Sequence, residues 1–541
     1  MRTLPLLRPL PFARSLLSLA LLLLVFSGQT SAQLARSFVM QSGMETAWKS
    51  QIQIPYVGRG LVSSQLWASP TVTKQYAVVT VGERTIRIPA SMPDRDGNAI
   101  GIEEAKKQAL AYAARLTGKA EGHEIKTATV SQLRLYLTTS DGLVQCLDAE
   151  TGKLIWSSSC GPATAPAYSS SLSPEGIAVL HGQKLYLLDL DTGRHRFSQS
   201  LYHATSIGLA TCGNLAFVVD IKGRVRSYGL TEKVRNPYRY VISGRTIGEP
   251  VSLASQQFGA IATDAGYMYV FAGGDQPSEW IRYESNASIT GSLAAGNDAF
   301  YVANSRGALS KVATSERLGR ILWEYRSGEL TTAPPLVVGD DVFVASEAGT
   351  LASVNDADGL ANWTLPGAAI QQPIAKSGGR IFCTDNKGHL LSLDAETGAL
   401  VGFSNTLRLA NPVVNQVNDR VYLVTQSGQV QCLRPVGGEL PIMIKAAIPR
   451  ATDPNQASQD IAQDMNSGDA GDVFGGDASG DPFGNADPNA DPFGDPAPAG
   501  EDPFGGSGTM EDPFGGSGGS DGGSEDPFGG SGEDPFGSSP F

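Results

Sequence analysis

The chain has 541 residues, of which 41% are hydrophobic, and a formal charge of −13. The charge is uneven, because residues 451–541 contain 15 Asp and 4 Glu but no Lys or Arg, whereas the first 450 residues carry 41 basic against 35 acidic side chains. A body of charge +6 argues against a generally basic nucleic-acid-binding surface and leaves a local patch open, and its hydrophobic content suffices for a core.

Residues 1–32 have the pattern of a secretory signal peptide. Arg2, Arg8 and Arg14 precede the apolar stretch Leu16–Phe26, and small residues lead to a cleavage site after Ala32. The stretch is too short for a good membrane span, and no later segment approaches 18 consecutive apolar residues. We therefore predict an exported chain, located in the periplasm or cell envelope, with no membrane span in its mature form.

A repeat of about 40 residues is the strongest signal in the chain. Each unit has a glycine between two runs of alternating apolar and β-branched residues, which is the pattern of a β-hairpin, and glycine supplies the positive φ that such turns require. These turn glycines are Gly142, Gly182, Gly223, Gly266, Gly307, Gly349, Gly388 and Gly428.

A second turn follows in the same phase and ends on an aromatic residue. In Asp148-Ala-Glu-Thr-Gly152 the aspartate can cap the turn and the glycine takes the left-handed position, after which Trp156 provides a large apolar body for packing against the neighbouring unit. The related turns and phase aromatics include Gly193 with Phe197, Gly398 with Phe403, and Trp280, Trp323 and Trp363.

Eight units of about 40 residues predict an all-β fold, an eight-bladed β-propeller of four-stranded blades over residues 127–446. A single four-stranded sheet cannot bury both of its faces, whereas sheets stacked around an axis bury them and protect their edges by ring closure. A different all-β array, such as a sandwich, is the alternative.

The segment Leu147-Asp-Ala-Glu-Thr-Gly-Lys-Leu-Ile-Trp156 resembles the signature of the pyrroloquinoline-quinone-like propeller repeat family. That family includes quinoprotein alcohol dehydrogenases and the non-enzymatic propeller of the bacterial outer-membrane barrel-assembly machinery. The resemblance covers about residues 127–445 and speaks for the fold more than for an activity. The dehydrogenases use an adjacent Cys-Cys pair over the cofactor and a calcium site, and the chain has no adjacent cysteines.

The resemblance carries over no catalytic or cofactor-binding residue, and we predict no metal-binding residue from the spacing of histidine and cysteine and no nucleic acid as a ligand from the charge balance. The leading hypothesis is an exported, non-enzymatic propeller that binds protein partners as a scaffold in the bacterial envelope, with outer-membrane protein assembly as one version. The alternative is a quinone-dependent oxidoreductase with a degenerate site, which would bind pyrroloquinoline quinone with calcium.

Residues 33–126 form an N-terminal segment outside the regular array. Met44–Ile54 with Trp48 and, at the other end, Glu439–Lys445 compete as the strand that closes the ring. Residues 76–86 look like another hairpin around Gly82, and Ile102–Leu116 reads as a helical insertion. Counting the Gly82 hairpin would give nine units, and we keep eight.

Residues 447–541 are predicted to be a disordered acidic tail, because Phe is nearly its only large apolar residue. The tail repeats Asp-Pro-Phe-Gly, and its role is open between a solubilising segment and multivalent weak contacts. The repeated motif places phenylalanines at Phe483, Phe493, Phe504, Phe514, Phe528 and Phe536.

The remaining polar motifs are weak. Asp94-Arg-Asp96-Gly-Asn98 resembles the start of a calcium loop, but position 6 is Ala99, so a polar loop before a helix is favoured. The five histidines have no metal-ligand spacing. Cys146, Cys383 and Cys432 are expected to be buried thiols, whereas a disulfide between Cys160 and Cys212 is left open.

Overall fold

Short antiparallel strands make up most of the described chain, which comprises residues 34–55, 60–82, 84–118 and 123–444 of a computed structural model. The predicted signal peptide and the predicted tail fall outside these residues. In chain order, helix α1 (Arg36–Gln41) and strand β1 (Met44–Gln51) come first. The strands that follow are arranged as eight sheets, which we call blades 1 to 8.

Blade 1 has the strand order β3-β2-β4-β5-β6, and helix α2 (Gly101–Thr117) lies between β3 and β4 in the chain. Its strands are β2 (Leu61–Val81), β3 (Arg84–Pro89), β4 (Ile125–Thr139), β5 (Leu143–Asp148) and β6 (Leu154–Ser159).

Blades 2, 3 and 4 are four-stranded meanders. Blade 2 has β7 (Ser171–Ser173), β8 (Gly176–His181), β9 (Lys184–Leu188) and β10 (His195–Ser200). Blade 3 has β11 (Leu209–Cys212), β12 (Leu215–Val219), β13 (Arg224–Gly229) and β14 (Arg239–Val241). Blade 4 has β15 (Thr246–Ser252), β16 (Phe258–Thr263), β17 (Tyr267–Ala272) and β18 (Ser278–Glu284).

Blades 5, 6 and 7 repeat the same meander. Blade 5 has β19 (Ala294–Ala295), β20 (Ala299–Ala303), β21 (Ala308–Ala313) and β22 (Ile321–Arg326). Blade 6 has β23 (Leu336–Val338), β24 (Asp341–Ala345), β25 (Leu351–Asn355) and β26 (Ala361–Leu365). Blade 7 has β27 (Ile370–Ser377), β28 (Arg380–Asp385), β29 (Leu390–Asp394) and β30 (Leu400–Ser404).

Blade 8 joins the two ends of the described chain. It consists of β31 (Val421–Val424), β32 (Gln429–Pro435) and, on the outside, the N-terminal strand β1. Trp48 of β1 lies opposite Cys432 in this antiparallel pair. Of the two candidates for the closing strand, the structure thus uses the N-terminal one. In the other, Met443 makes a single bridge to Asn418.

The apolar cores lie between blades rather than within them. Eight clusters of buried side chains each join two successive blades, and one of them joins blade 8 to blade 1 through Trp48, Tyr422 and Leu135. The first strands of successive blades contact one another around the centre. The predicted eight-bladed propeller is therefore confirmed, with one extra strand in blade 1 and only three strands in blade 8.

Five tryptophans hold adjacent blades together in the same way. Each indole N–H donates to a backbone carbonyl in the second turn of the next blade, at 2.8–3.1 Å. The pairs are Trp48 with Ala149, Trp156 with Leu190, Trp280 with Thr314, Trp323 with Asp356, and Trp363 with Ala395. The hydrogen bond satisfies a buried polar group while the ring fills the space between sheets.

The glycine of that second turn lies directly on the ring. Gly152 has φ +71°, and a Cβ placed on it would lie 2.2 Å from Trp48 Cε3. Gly193 and Gly398 meet Trp156 and Trp363 in the same way. Glycine is thus required both for its left-handed backbone and for close approach. The eight hairpin glycines also all have positive φ.

The aspartate that opens the second turn accepts its hydrogen bonds. Burial alone would raise the pKa of Asp189, but hydrogen bonds from the Thr192 hydroxyl and from the backbone N–H groups of Thr192 and Asp191 outweigh it and lower the pKa. The pKa of Asp394 is also lowered, first by the Thr397 hydroxyl and N–H. The turn is therefore most stable with the carboxylate ionised.

Trp48→Ala should lower the free energy of unfolding by about 3–5 kcal/mol, because it removes a buried indole and leaves the Ala149 carbonyl with only the longer, 3.4 Å hydrogen bond from the Tyr422 hydroxyl. Phe403→Ala is the matched control, since this phase aromatic is 51% exposed and should change stability by about 0.5 kcal/mol or less. Urea unfolding measures both. Similar losses for the two variants would contradict the role assigned to the tryptophans.

Asp189→Asn should destabilise the chain by about 0.5–1 kcal/mol at pH 7, after allowance for solvent screening, because amide caps are weaker than carboxylate caps. Because the pKa of Asp189 is lower in the folded chain than in the unfolded chain, its carboxylate stabilises the fold at pH values above the unfolded pKa, near 3.9. This stabilisation is lost as the pH falls through the folded pKa. The difference in the free energy of unfolding between wild type and Asp189→Asn should therefore decrease as the pH falls below about 4. A difference that stays constant with pH would contradict this assignment.

Candidate functional site

The central channel is the first place to look for a ligand site in a propeller. The first strands of blades 1, 2, 4 and 5, with the segments before β23 and β31, line a cavity of about 300 Å³. Its polar lining consists of neutral side chains, including Ser64, Gln65, Ser252 and Gln256, and the rest is mainly aliphatic or proline. The described lining contains no carboxylate, guanidinium or ammonium group.

Several of the polar groups at the channel bond to its own wall. The Thr211 hydroxyl donates to the Leu172 carbonyl at 2.6 Å and contacts Gln256 Oε1 at 3.0 Å, and Thr211 N–H donates to Ser252 Oγ at 2.9 Å. Ser63 and Ser170 share a hydrogen bond of 3.0 Å. These bonds link neighbouring blades around the centre, so the hydroxyl groups have partners within the fold.

The lining of the 300 Å³ cavity does not fit the quinone cofactor that the resemblance raised as an alternative. Pyrroloquinoline quinone carries three carboxylates, and calcium takes carboxylate and carbonyl oxygens, so a site for both needs charged side chains. Neither set is present in this 300 Å³ cavity, whereas a second cavity, lined by inner segments of blades 1, 2, 3, 4 and 8, includes Asp141 and Glu249. Across the described residues, no group of three or more His, Cys, Asp or Glu side chains is placed to hold a metal ion.

The cysteines are separate, buried thiols. Cys160 lies in the core between blades 1 and 2, and Cys212 lies in the core between blades 3 and 4, so the disulfide left open from the sequence does not form. Burial raises the pKa of the Cys146 and Cys160 thiols to about 12, and that of Cys432 likewise. Such thiols are poor nucleophiles and metal ligands.

Within the described residues, the histidines and the acidic loop do not form a group that could hold a metal ion. His389 Nδ1 pairs with Asp385 at 2.8 Å, whereas His181 is buried beside Gly142 and Gly161. In the loop 94–98, Asp94 Oδ1 accepts the backbone N–H groups of Asp96 and Asn98 at 2.9 Å each. This carboxylate closes its own loop, in agreement with the polar-loop interpretation.

The predicted Gly82 hairpin is not a ninth blade but an extension of blade 1, which we call the arm. Residues 73–79 of β2 pair with residues 125–131 of β4, and β3 pairs with residues 76–81 of β2. Helix α2 covers one face of these strands, with Ala105, Ala109 and Ala113 packed on Ala77 and Val79. The helix matches the prediction and ends at Gly118, with φ +69°.

Charged groups fasten the other face of the arm to the ring. Lys74 Nζ lies 2.7 Å from Asp148 and 3.3 Å from Glu150, and the Tyr76 hydroxyl donates to Glu150 at 2.8 Å. Arg87 donates to the Glu439 carbonyl at 2.7 Å. Burial and the neighbouring Glu150 raise the pKa of Tyr76, so its hydroxyl remains a donor. The arm is thereby held rigidly beside blade 8.

Strand β3 is an open edge of the blade 1 sheet, because no described strand lies beyond it. Ala90 N–H donates to the Gln75 carbonyl at 2.8 Å, and hydrogen-bonded pairs alternate along an antiparallel ladder. The backbone N–H and C=O groups of Thr85 and Arg87 therefore point away from β2. Unpaired groups in a row are a template for another strand.

A groove of about 710 Å³ runs along this edge, and we call it the arm groove. One wall is a stripe at helical spacing on α2, formed by Gln108, Tyr112 and Leu116, and the opposite wall comes from residues 436–439 and Glu45. Met92, Tyr112, Leu116 and Val436 are exposed apolar side chains in it. This site was not predicted from the sequence, although the spacing of residues 108, 112 and 116 and the Gly82 hairpin both point to it.

No described helix is both long enough and apolar enough to cross a membrane.

The comparisons with known proteins agree with this architecture. A family model described as outer membrane protein assembly factor BamB matches residues 62–249 and 273–439. The outer membrane protein assembly factor BamB of Moranella endobia (strain PCIT) is 22% identical over 340 residues, which cover 59% of this chain and 77% of that protein.

Among solved structures, BamB from Moraxella catarrhalis is 17% identical with a TM-score of 0.43, and the match covers 56% of this chain and 91% of that one. The computationally designed Ika8 protein is 14% identical with a TM-score of 0.42, over 55% and 92% of the two chains. The predicted resemblance to the pyrroloquinoline-quinone-like repeat is confirmed. Because the family model matches strands of all eight blades and more than half of the sequence, the chain belongs to the family of outer membrane protein assembly factor BamB.

Proposed function

We propose that the chain is an exported, non-enzymatic propeller that acts as a protein-interaction scaffold in the periplasm or envelope of a bacterium, in outer-membrane protein assembly. The observation that carries the proposal is the arm groove, a slot with exposed apolar and charged side chains beside an open strand edge on a chain of this family. Rigid attachment of the arm prepares the slot before a partner arrives, which reduces the entropy cost of binding.

An extended segment of a partner polypeptide fits this slot. Its backbone would pair with the outward groups of Thr85 and Arg87, in the mode by which peptides add a strand to a sheet edge. Its side chains would alternate between the α2 wall, at Tyr112 and Leu116, and the wall at Val436. Strands of outer-membrane barrels alternate in polarity with this period of two, so they are the class of segment we assign to the groove.

Thr85→Pro should abolish peptide binding, because proline removes an outward N–H while leaving the ladder to β2 intact. The probe is a fluorescein-labelled ten-residue peptide of alternating polar and aromatic residues, measured by fluorescence anisotropy. Thr85→Val is the matched control and should bind like wild type. Equal affinity for the proline variant, with unchanged circular dichroism, would contradict strand addition.

The double variant Leu116→Ser with Tyr112→Ser should reduce the affinity for the same peptide by about tenfold or more, because two apolar contacts of the groove are lost. Leu154→Ser, an equally exposed leucine on β6, should leave the affinity unchanged. Loss of binding in both proteins would point to general hydrophobic adhesion rather than to the arm groove.

In the source bacterium, deletion of the gene should reduce the amounts of several outer-membrane barrel proteins, measured by quantitative proteomics of membrane fractions. A plasmid copy with wild-type sequence or Thr85→Val should restore them, whereas Thr85→Pro should not. Unchanged barrel proteins in the deletion strain would overturn the proposed role, and recovery of the chain in the cytosol would overturn its export.

The oxidoreductase alternative predicts a visible-band shift and dye reduction when the purified chain is incubated with pyrroloquinoline quinone and calcium. We expect neither, because the 300 Å³ cavity offers no charged partner, and the charged groups of the second cavity, Asp141 and Glu249, would repel the carboxylates of the cofactor. A saturable spectral shift would contradict the non-enzymatic proposal and support the oxidoreductase alternative.

A further inference from the structure

We propose that the outer edge of blade 3 is a membrane-contact surface for anionic phospholipid headgroups. This inference does not depend on the arm groove, which lies on blade 1. The surface, which we call the blade 3 patch, consists of four cationic and three apolar side chains: Lys222, Arg224, Arg226, Arg239, Tyr202, Ile221 and Val241.

Positive charge is concentrated in this blade. Residues 220–245 contain seven Lys and Arg but only Asp220 and Glu232 as acids, so this segment carries +5 of the +6 found over residues 1–450. Arg224 pairs with Asp220 at 2.7 Å. Lys222 and Arg239 are exposed and form no ion pair within the described residues. A local cationic field of this kind attracts anions.

The strand register places the arginines on one face. Arg226 lies directly opposite Arg239, and Arg224 lies opposite Val241, in the antiparallel pair of β13 and β14. Val225, between the two arginines of β13, is fully buried in the core that joins blade 3 to blade 4. Like charges directly opposite one another destabilise a sheet. Such a pair with no acid partner is explained by an anion that binds between the two side chains.

The guanidinium of Arg226 has few hydrogen-bond partners within the described protein and is therefore available to an anion. Its guanidinium lies 4.8 Å from the centre of the Tyr202 ring, and its Nη2 is 3.5 Å from His203 Nε2, at the limit of a hydrogen bond. Its Nε is buried without an acceptor in the described chain. The Arg226 side chain is nevertheless partly exposed, so a phosphate oxygen outside can accept a charge-assisted hydrogen bond from its guanidinium.

Three exposed apolar side chains surround these cations and decide the class of partner. Tyr202, Ile221 and Val241 are 50%, 66% and 69% exposed. Ile221 N–H donates to the Ala204 carbonyl at 3.1 Å, which fixes the hairpin tip beside the loop that carries Tyr202. Nucleic-acid phosphates would leave the aliphatic side chains in water. A bilayer binds both groups, because aliphatic and tyrosine side chains enter the interface while basic side chains meet the headgroups.

The experiment is co-sedimentation of the full chain with vesicles of phosphatidylcholine alone or with 30% phosphatidylglycerol. We expect binding to the anionic vesicles only, weakened by salt. Arg226→Gln with Arg239→Gln should reduce the partition coefficient by roughly thirtyfold, from two lost headgroup contacts. The matched control is Arg320→Gln with Arg326→Gln on blade 5, which removes the same charge from exposed positions and should bind like wild type.

A second variant, Ile221→Ser with Val241→Ser, separates a bilayer from a soluble anion. It should lose vesicle binding while keeping the charge of the patch. Equal losses in the blade 3 and blade 5 arginine variants, or full binding by the serine variant, would overturn the proposal. The proposal would also be overturned if an acidic peptide displaced the chain from the vesicles and the serine substitutions had no effect. That result would indicate an acidic protein partner. Circular dichroism verifies folding, and none of these results bears on the arm groove.

Discussion

The burial of each sheet by its neighbours is the constraint on which the rest of this structure depends. A four-stranded blade leaves two apolar faces, and eight clusters between blades cover them all. The indole of Trp48 shows how the contact is made specific, because its ring packs under Gly152 while its N–H donates to Ala149. One residue type thus supplies burial and alignment between blades whose other contacts are non-directional.

Ring closure through the N-terminal strand ties distant parts of the chain together. Since β1 is the outer strand of blade 8, residues near position 48 and residues near position 432 belong to one sheet. Closure also removes the open lateral ends that a linear array of blades would have. The open edge of β3 stands out against this background, because it lies on the arm, outside the closed ring. Outer strands such as β10 and β14 also end their sheets, so it is the adjoining arm groove that distinguishes the β3 edge as the proposed site of pairing.

The repeat residues and the two proposed interaction surfaces have different physical roles. The residue types at Asp148, Gly152 and Trp156 recur in other blades, because the same turn and the same contact with the next blade are needed there. The arm groove and the blade 3 patch occur once each, on loops, hairpin tips and an inserted segment, which is where a rigid scaffold can vary without loss of its core. Function in such a fold is therefore expected at departures from the repeat.

The sequence by itself determined the eightfold repeat, the positions of the turn glycines, the packing role of the tryptophans and the helix over residues 102–116. These features are local or periodic, so spacing and residue type suffice to predict them. It also determined that cysteine and histidine are too scattered to indicate a catalytic centre.

Only the tertiary structure decided how the ring closes, which cores hold Cys160 and Cys212, and that the Gly82 hairpin belongs to blade 1. It also decided that Leu116 and Val436, 320 residues apart, form opposite walls of one groove, and that Arg226 and Arg239 face each other. Contacts of this kind depend on strand register and on the order of blades around the ring, because pairing between strands is not encoded in either strand alone.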